Sequence, residues 1–300
     1  MAAEGGYVTR DELLAKWQGK RIQVLDRGGV QLLDVMGSDC AIVQSARVSF
    51  GKELDEANRR DARRLIRYMV RHQHGTPFES CEIKLWVHLP IFVERQWARH
   101  RTAHWNELSA RYTELPEEFY IPEPEQVCYQ SDSNKQGRSG PLGERECIEV
   151  RETMRETFGA AFAGYRYMLG VGVAKETARL GLPVATYTTK VWKVDLRNLL
   201  GFLALRLDEH SQWEIRQYAE AIAGIVRDWV PLTWEAFEDF VLGARTFSRQ
   251  EVLALQQALT LDDGKVRGWL FAHPPEQSGR ENAAFLRLLG MDADPDAEFP

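Results

Sequence analysis

The densest chemistry in the chain lies in one run, Arg99-His100-Arg101-Thr102-Ala103-His104-Trp105-Asn106-Glu107-Leu108-Ser109-Ala110-Arg111-Tyr112. It holds three arginines, two histidines, one carboxylate and one serine, with few apolar positions to bury. A guanidinium is always charged, and its planar fork matches phosphate and carboxylate oxygens. Two readings follow, a solvated basic surface or a site for a small anion or nucleotide. Glu107 among the arginines, and the stacking and hydrogen-bonding groups of Trp105, Ser109 and Tyr112, suit the second. His100 and His104 could share a helix face, the minimum for a metal pair, but no glutamate base stands between them. Arg99 and Arg101 would repel a divalent cation, so no metal is expected. Ser109 has no histidine placed as its base, which favours a hydrogen-bond donor over a nucleophile.

Several elements must carry this run. Thr9 with Glu12 reads as a capping box for a helix through Trp17. Strands are expected at 21–25 and 31–35 around an Asp26-Arg27-Gly28-Gly29 turn, then a helix from Cys40 leading into Ala46-Arg47-Val48-Ser49-Phe50. Residues 59–73 are amphipathic: Ala62, Leu65, Ile66, Met69 and Val70 on one face, Arg60, Arg63, Arg64, Arg67 and Arg71 on the other. That basic face reads as solvated or as a neighbour of phosphates or of a folate tail. Gly75 and Pro77 then break the helix, leaving His72, His74 and Thr76 on a turn. Residues 81–89 alternate as a strand with Ile83, Leu85 and Val87 inward, and Pro90 starts a helix carrying Gln96, Trp97 and Arg99.

Residues 121–147, rich in Pro, Ser, Gly and Gln, read as a loop or insertion, either a lid or an excursion. Helices are expected at about 148–169 and 172–180, then a strand at 184–194. Asp195 can cap a helix over 196–207 carrying Arg197 and Arg206, which are too far apart to need the same ligand atoms. Further helices are expected at 212–228 and from Pro231 to about Leu242. Capping boxes at Ser248/Glu251 and Ser278/Glu281 mark short helices in an appendage. The expected organisation is a domain over 1–245, with 121–147 as its insertion, and a helical extension over 246–300. The fold class is α+β, mixed helices around a small sheet.

Composition narrows the function. The 300 residues can bury a sizeable core, and the chain is 44% hydrophobic and 27% charged. A net charge of -6 disfavours a general nucleic-acid binder and makes any anion site a local basic cluster. No run of apolar residues is long enough to span a bilayer, and Met1–Gly6 lacks an export signal. Cys40, Cys81, Cys128 and Cys147 are scattered without metal-binding spacing, which suits a reducing cytoplasm.

Read as Arg-His-Arg, seven residues, then Ser and a further Arg, the central run resembles the signature of the flavin-dependent thymidylate synthases. Ala46–Phe50 and His74-Gly75-Thr76-Pro77-Phe78-Glu79 are similar to further motifs of that family, in the right order. The resemblance covers about residues 35–242. It implies reductive methylation of dUMP to dTMP, with methylenetetrahydrofolate as carbon donor and FAD reduced by NADPH as hydride source. It also implies a homotetramer with sites shared between subunits, and neither nucleic acid nor membrane as partner. Carried over by position, Gln96, Trp97, Ala98, Arg99, Glu107, Leu108, Ser109, Ala110, Arg111, Arg179 and Arg206 resemble residues around dUMP. Arg206 takes the catalytic place at the uracil imide edge. His74, Thr76, Glu79, Arg99, His100, Arg101, Glu107, Asp195, Leu196, Arg197, Gly201 and His210 resemble flavin contacts. Gly201 departs from the pattern, since a polar side chain is usual there. No Gly-x-Gly-x-x-Gly turn is present, so FAD would be held by side chains. The alternatives are a non-catalytic nucleotide- or flavin-binding protein on the same fold, and a nucleic-acid binder using 59–73 and Arg99–Arg111.

Overall fold

A computed structural model describes residues 7–49, 51, 59–132 and 135–260. Thr9 opens α1 (Arg10–Trp17) with the reciprocal box: its hydroxyl accepts from the Glu12 amide at 3.2 Å, and the Glu12 carboxylate accepts from the Thr9 amide at 2.9 Å. The hairpin of β1 (Arg21–Val24) and β2 (Gly28–Met36) turns earlier than expected, over Leu25-Asp26-Arg27, with Leu25 left-handed at φ 57°. Gly28 and Gly29 therefore sit inside β2 rather than in the turn. Gly28 is there for lack of a side chain. A Cβ would lie 2.0 Å from the Tyr218 hydroxyl, which donates to the His88 carbonyl at 2.8 Å. Gly28→Ala is expected to cost about 1–3 kcal/mol by overpacking, read as a lowered midpoint in thermal unfolding.

Next come α2 (Asp39–Val48) and α3 (Arg59–Arg71); Phe50 lies outside the described residues. α3 stops before residue 73 because Gln73 turns left-handed at φ 57°. The His74 amide then reaches the Met69 carbonyl and the Gln73 amide the Val70 carbonyl, closing the helix end. Its basic face departs from the expected solvated or ligand-facing stripe at Arg67 and Arg63, while Arg64 is exposed. Arg67 is 3% exposed and pairs with Glu235 at 2.9 Å and Asp239 at 2.5 Å, while Arg63 pairs with Glu235. Those guanidiniums hold helices together.

A 3-10 turn (Thr76–Ser80) leads into β3 (Glu82–Pro90), α4 (Ile91–Trp97) and β4 (His104–Glu107). The Pro-rich stretch is partly ordered: β5 (Cys128–Gln130) and β6 (Arg138–Pro141) form a hairpin, pinned where Arg138 Nη2 donates to both oxygens of the buried Glu214 at 2.9 and 2.7 Å. It is neither a free excursion nor a lid at that anchor. α5 (Glu144–Gly170) begins earlier than expected and ends on Gly172 at φ 87°. α6 is a single turn (Lys175–Ala178), continued by a 3-10 turn over Arg179–Gly181. β7 (Tyr187–Asp195), α7 (Leu196–Arg206), α8 (Trp213–Trp229) and α9 (Pro231–Phe237) follow, the last ending in a π turn over Glu238–Leu242.

The fold is α+β. One antiparallel sheet, ordered β1-β2-β3-β7-β4, supports the helices. Its core face carries Val30, Leu32, Ile83, Leu85, Val87, Trp192 and Val194, packed with Phe202, Ile215, Tyr218 and Ile222 of the helices. Phe162 and Tyr165 of α5 make a second apolar cluster with Ala178. Residues up to Leu242 form one compact unit, and a second unit begins at Gly243. In it α10 (Arg249–Thr260) opens with the Ser248 amide donating to Glu251 at 2.6 Å. The Ser278/Glu281 box lies outside the described residues. Among the described residues no helix is long and apolar enough to cross a membrane.

Candidate active site

Trp97 fixes the start of the arginine-rich run. It is fully buried at the end of α4, stacked on Phe202 of α7 at 4.7 Å and edge-on to Trp192 of β7 at 5.1 Å. The chain then leaves the helix, so Arg99 and Arg101 are exposed and His100 half-buried. His100 and His104 share no helix face, because His104 belongs to β4. The His100 ring meets Phe202 edge-on at 4.9 Å, and its Nε2 accepts a hydrogen bond from Arg206 Nε at 3.0 Å. Burial first, then the charges of Arg206 and Lys190, push the imidazole down to about 4, so it is neutral at pH 7. Burial also lowers Arg206, which stays a cation. No other hydrogen bond engages Arg206 among the described residues, so the guanidinium is oriented through Nε and open at its far edge.

His100, without Arg206, lines a pocket of about 210 Å³ together with Thr102, Ala103, Trp192, Val194, Asn198, Gly201 and Leu205. On α7, Arg197, Gly201 and Leu205 recur every fourth residue and share its exposed face. At the N-terminus of that helix, Asp195 accepts from the Asn198 amide at 3.0 Å and from Asn198 Nδ2 at 2.6 Å. Leu196 is buried. Arg197 runs the other way from Arg206, pairing with Glu79 and crossing Gly75, where a Cβ would sit 2.4 Å from Arg197 Nε. The turn bearing Thr76 and Glu79 and the α7 N-terminus are thus brought together. His74 stands beside them, exposed and edge-on to Tyr68 at 5.5 Å.

β4 and its exit loop carry further candidate residues, none of which lines that pocket. Glu107 accepts from Thr188 Oγ1 at 2.8 Å, and the Leu108 amide bonds to the Thr189 carbonyl. Ser109 Oγ accepts from the Arg111 amide at 3.3 Å, Ala110 is buried, and Arg111 pairs with Glu176 at 3.0 Å. Arg179 is exposed, three residues beyond Glu176. Ala98 caps α4, and Gln96 two residues before it has a buried Oε1 with no hydrogen-bond partner among the described residues. His210 stands apart, its Nδ1 2.9 Å from Asp208 in the loop after α7.

Residues 31–232 match the family described as thymidylate synthase complementing protein. A flavin-dependent thymidylate synthase of Ruegeria pomeroyi is 50% identical over 240 residues, 79% of each chain. One from Thermus thermophilus is 51% identical over 240 residues, covering 80% of this chain and 86% of that one. This chain belongs to the flavin-dependent thymidylate synthase family. Its fold is shared by a crystal structure of the UMP/dUMP methylase PolB from Streptomyces cacaoi bound with 5-Br dUMP, at a TM-score of 0.67 and 34% identity. The likeness covers 73% of this chain and 98% of that one.

Sequence reasoning passed over several pocket residues. Thr102, Ala103, Trp192, Val194, Asn198 and Leu205 line the pocket without an ionisable group to draw notice. Asn198 and Leu205 could have been found from α7, being next to Arg197 and four beyond Gly201. Lys190 and Glu94 were also missed. Both are buried and ion-paired to each other, and the signal was a lysine at an inward position between Thr188 and Trp192.

Proposed function

We propose that this family member methylates dUMP to dTMP, with methylenetetrahydrofolate giving the carbon and FAD reduced by NADPH giving the hydride. The observation that carries the reading is Arg206, pinned through Nε to a neutral His100 that itself lines the pocket. A fixed cation at the imide edge of uracil favours the deprotonated ring nitrogen and so raises electron density in the ring. Arg99, Arg111 and Arg179 suit the phosphate, and Gln96, with its orphaned buried Oε1, suits a donor on the nucleotide. Glu107 and Ser109 complete the dUMP set, with the backbone around Trp97, Ala98, Leu108 and Ala110. In this reading Ser109 donates a hydrogen bond and is no nucleophile.

The residues present fit a flavin whose site is only partly enclosed by one chain. A pocket of about 210 Å³ is smaller than the ~300–1,000 Å³ usual for small-molecule sites. Arg99, Arg101 and Arg197 stay exposed around it. His100, Gly201, Asp195, Leu196 and Arg197 would hold one end, with His74, Thr76 and Glu79 at its edge and His210 beyond. When bound, reduced flavin supplies the hydride, which no side chain can. A homotetramer that shares sites would complete the enclosure, and exposed Tyr112, Leu180, Val184 and Leu205 are apolar surface such an assembly would cover. We place the catalytic domain at 1–245 and the helical extension at 246–300, in a cytoplasmic protein without nucleic-acid or membrane partners.

Gly201 gives a test of its own. Among the described residues nothing lies within 4 Å of a Cβ built there, so no contact among them explains glycine in mid-helix. Gly201→Ala is expected to stabilise α7 by about 0.5–1 kcal/mol in thermal unfolding and, by narrowing the pocket, to weaken FAD binding in a titration. Unchanged FAD affinity would remove Gly201 from the flavin site.

The deciding experiment is a visible absorption titration with FAD, followed anaerobically through NADPH addition with and without dUMP, then methylenetetrahydrofolate. Bleaching that quickens with dUMP, then dTMP formation, is expected. A folded protein that stays colourless with FAD overturns the reading. Flavin that binds but yields no dTMP favours the non-catalytic alternative.

A further inference from the structure

Lys190 occupies an inward position of β7, opposite Val87 of β3 and Glu107 of β4, and is 1% exposed. Its neighbours on that face are Thr188 and Trp192 along β7, Glu107 on the β4 side and the aliphatic Leu85, Val87 and Leu89 on the β3 side. The ammonium pairs with Glu94 of α4 and lies 4.2 Å from the centre of the Trp97 ring and 5.9 Å from that of Trp192. Burial pushes the Glu94 carboxyl up and the Lys190 ammonium down, each against the pull of the other. Such a pair is on average no more stabilising than apolar side chains of the same size. Stability alone therefore does not account for charge at this point.

Its position does. Trp97, Trp192 and Phe202 form one contiguous aromatic cluster. Lys190 packs behind it, while His100 sits on Phe202 and shares the pocket wall with Trp192. The charged groups that bear on His100 are Arg206 from α7 and Lys190 from β7. Those that bear on Lys190 are Glu94 from α4 and Glu107 from β4. We propose that the buried Lys190–Glu94 pair is a positioning element of the site, holding the His100 imidazole as the acceptor that pins Arg206. A protonated imidazole would have no lone pair at Nε2 and would place a like charge against Arg206, releasing it. The cation behind the aromatic layer opposes that protonation at a distance from the ligand, and its counter-ion Glu94 keeps it charged.

The consequence for dUMP rests on the function proposed above, but the ionisation of His100 does not. The test replaces the pair by apolar residues, Lys190→Met with Glu94→Leu, which leaves no buried charge unpaired. Histidine-labelled protein is titrated by NMR, with His100→Gln assigning the resonance, and dUMP affinity is measured against pH. In the double variant the His100 transition is expected to rise from its low value by about half a pH unit or more. The acid limb of dUMP binding should move with it, about threefold weaker binding on that limb. A folded variant in which neither moves overturns the proposal and leaves the pair a packing feature. If the apolar pair does not fold, Lys190→Gln with Glu94→Gln keeps a side-chain hydrogen bond and takes the same titration. Wild-type protein that binds no dUMP at any pH would sink the functional reading, while the NMR titration would still decide this one.

Discussion

Arg206→Ala is expected to lower kcat/KM for dTMP formation by about a thousandfold, the range seen when one preorganised donor to a developing charge is removed. The sole described hydrogen bond of Arg206 is to the pocket-lining His100, and the residue is half-buried rather than in the core. The fold should therefore survive, with an unaltered melting midpoint and visible flavin binding. Arg206→Lys keeps a positive charge but loses the Nε–H that His100 orients, so about a tenfold to hundredfold loss is expected. A second readout separates orientation from charge. Without the guanidinium at 3.0 Å, His100 loses the second-largest influence holding its imidazole down to about 4. Its NMR titration should move toward the ordinary histidine range in Arg206→Ala and less so in Arg206→Lys. Activity within tenfold of wild type in Arg206→Ala would remove this cation from the reaction.

The parts of the fold legible in the sequence were those decided locally. The Thr9/Glu12 box, the Asp195 cap and the alternation of Ile83, Leu85 and Val87 are set by a few neighbouring residues, and the structure holds all of them. What failed depended on distant partners. Gly28 and Gly29 look like turn residues until Tyr218, far along the chain, is packed against the strand. Arg67 looks like one more residue of a solvated stripe until Glu235 and Asp239 arrive from the other end of the domain. No helical period reports such a partner. α6 was read as longer than its single turn because propensity cannot weigh a 3-10 continuation into Arg179–Gly181.

The site divides the same way. Charged residues announced themselves: His100 with Arg206, and Glu79 with Arg197, are joined as pairs although neither pairing is visible in the spacing. The neutral half of the pocket, from Thr102 to Leu205, is ordinary in type and acquires meaning only by position. Lys190 is the instructive intermediate. Its charge and its place in step with Thr188 and Trp192 were visible, but not the Glu94 that pairs with it or the Val87 that the register sets opposite.

The largest stability effect is expected from a residue that the sequence offered no reason to single out. Asp39 begins α2 and is 2% exposed, yet its carboxylate accepts from the amides of Leu232 at 2.8 Å and Thr233 at 3.0 Å, and from the Thr233 hydroxyl at 2.7 Å. Those amides belong to the first turn of α9, where Pro231 has no N–H to give and the remaining donors need acceptors. A carboxylate is the best available partner, since its charge also meets the positive end of the helix. Asp39→Ala removes the acceptors from three donors and opens a polar gap inside the core that joins α2 to α9. A loss of about 3 kcal/mol is expected, from charge-assisted bonds broken and donors left unsatisfied. For a domain of this size that corresponds to a drop of about 6–12 °C in Tm. Asp39→Asn should lose less, because its amide oxygen can still accept from Thr233 while the charge is gone. An Asp39→Ala midpoint within about 2 °C of wild type would show that water or a shifted side chain takes over the cap, and that α9 is held by its apolar face alone.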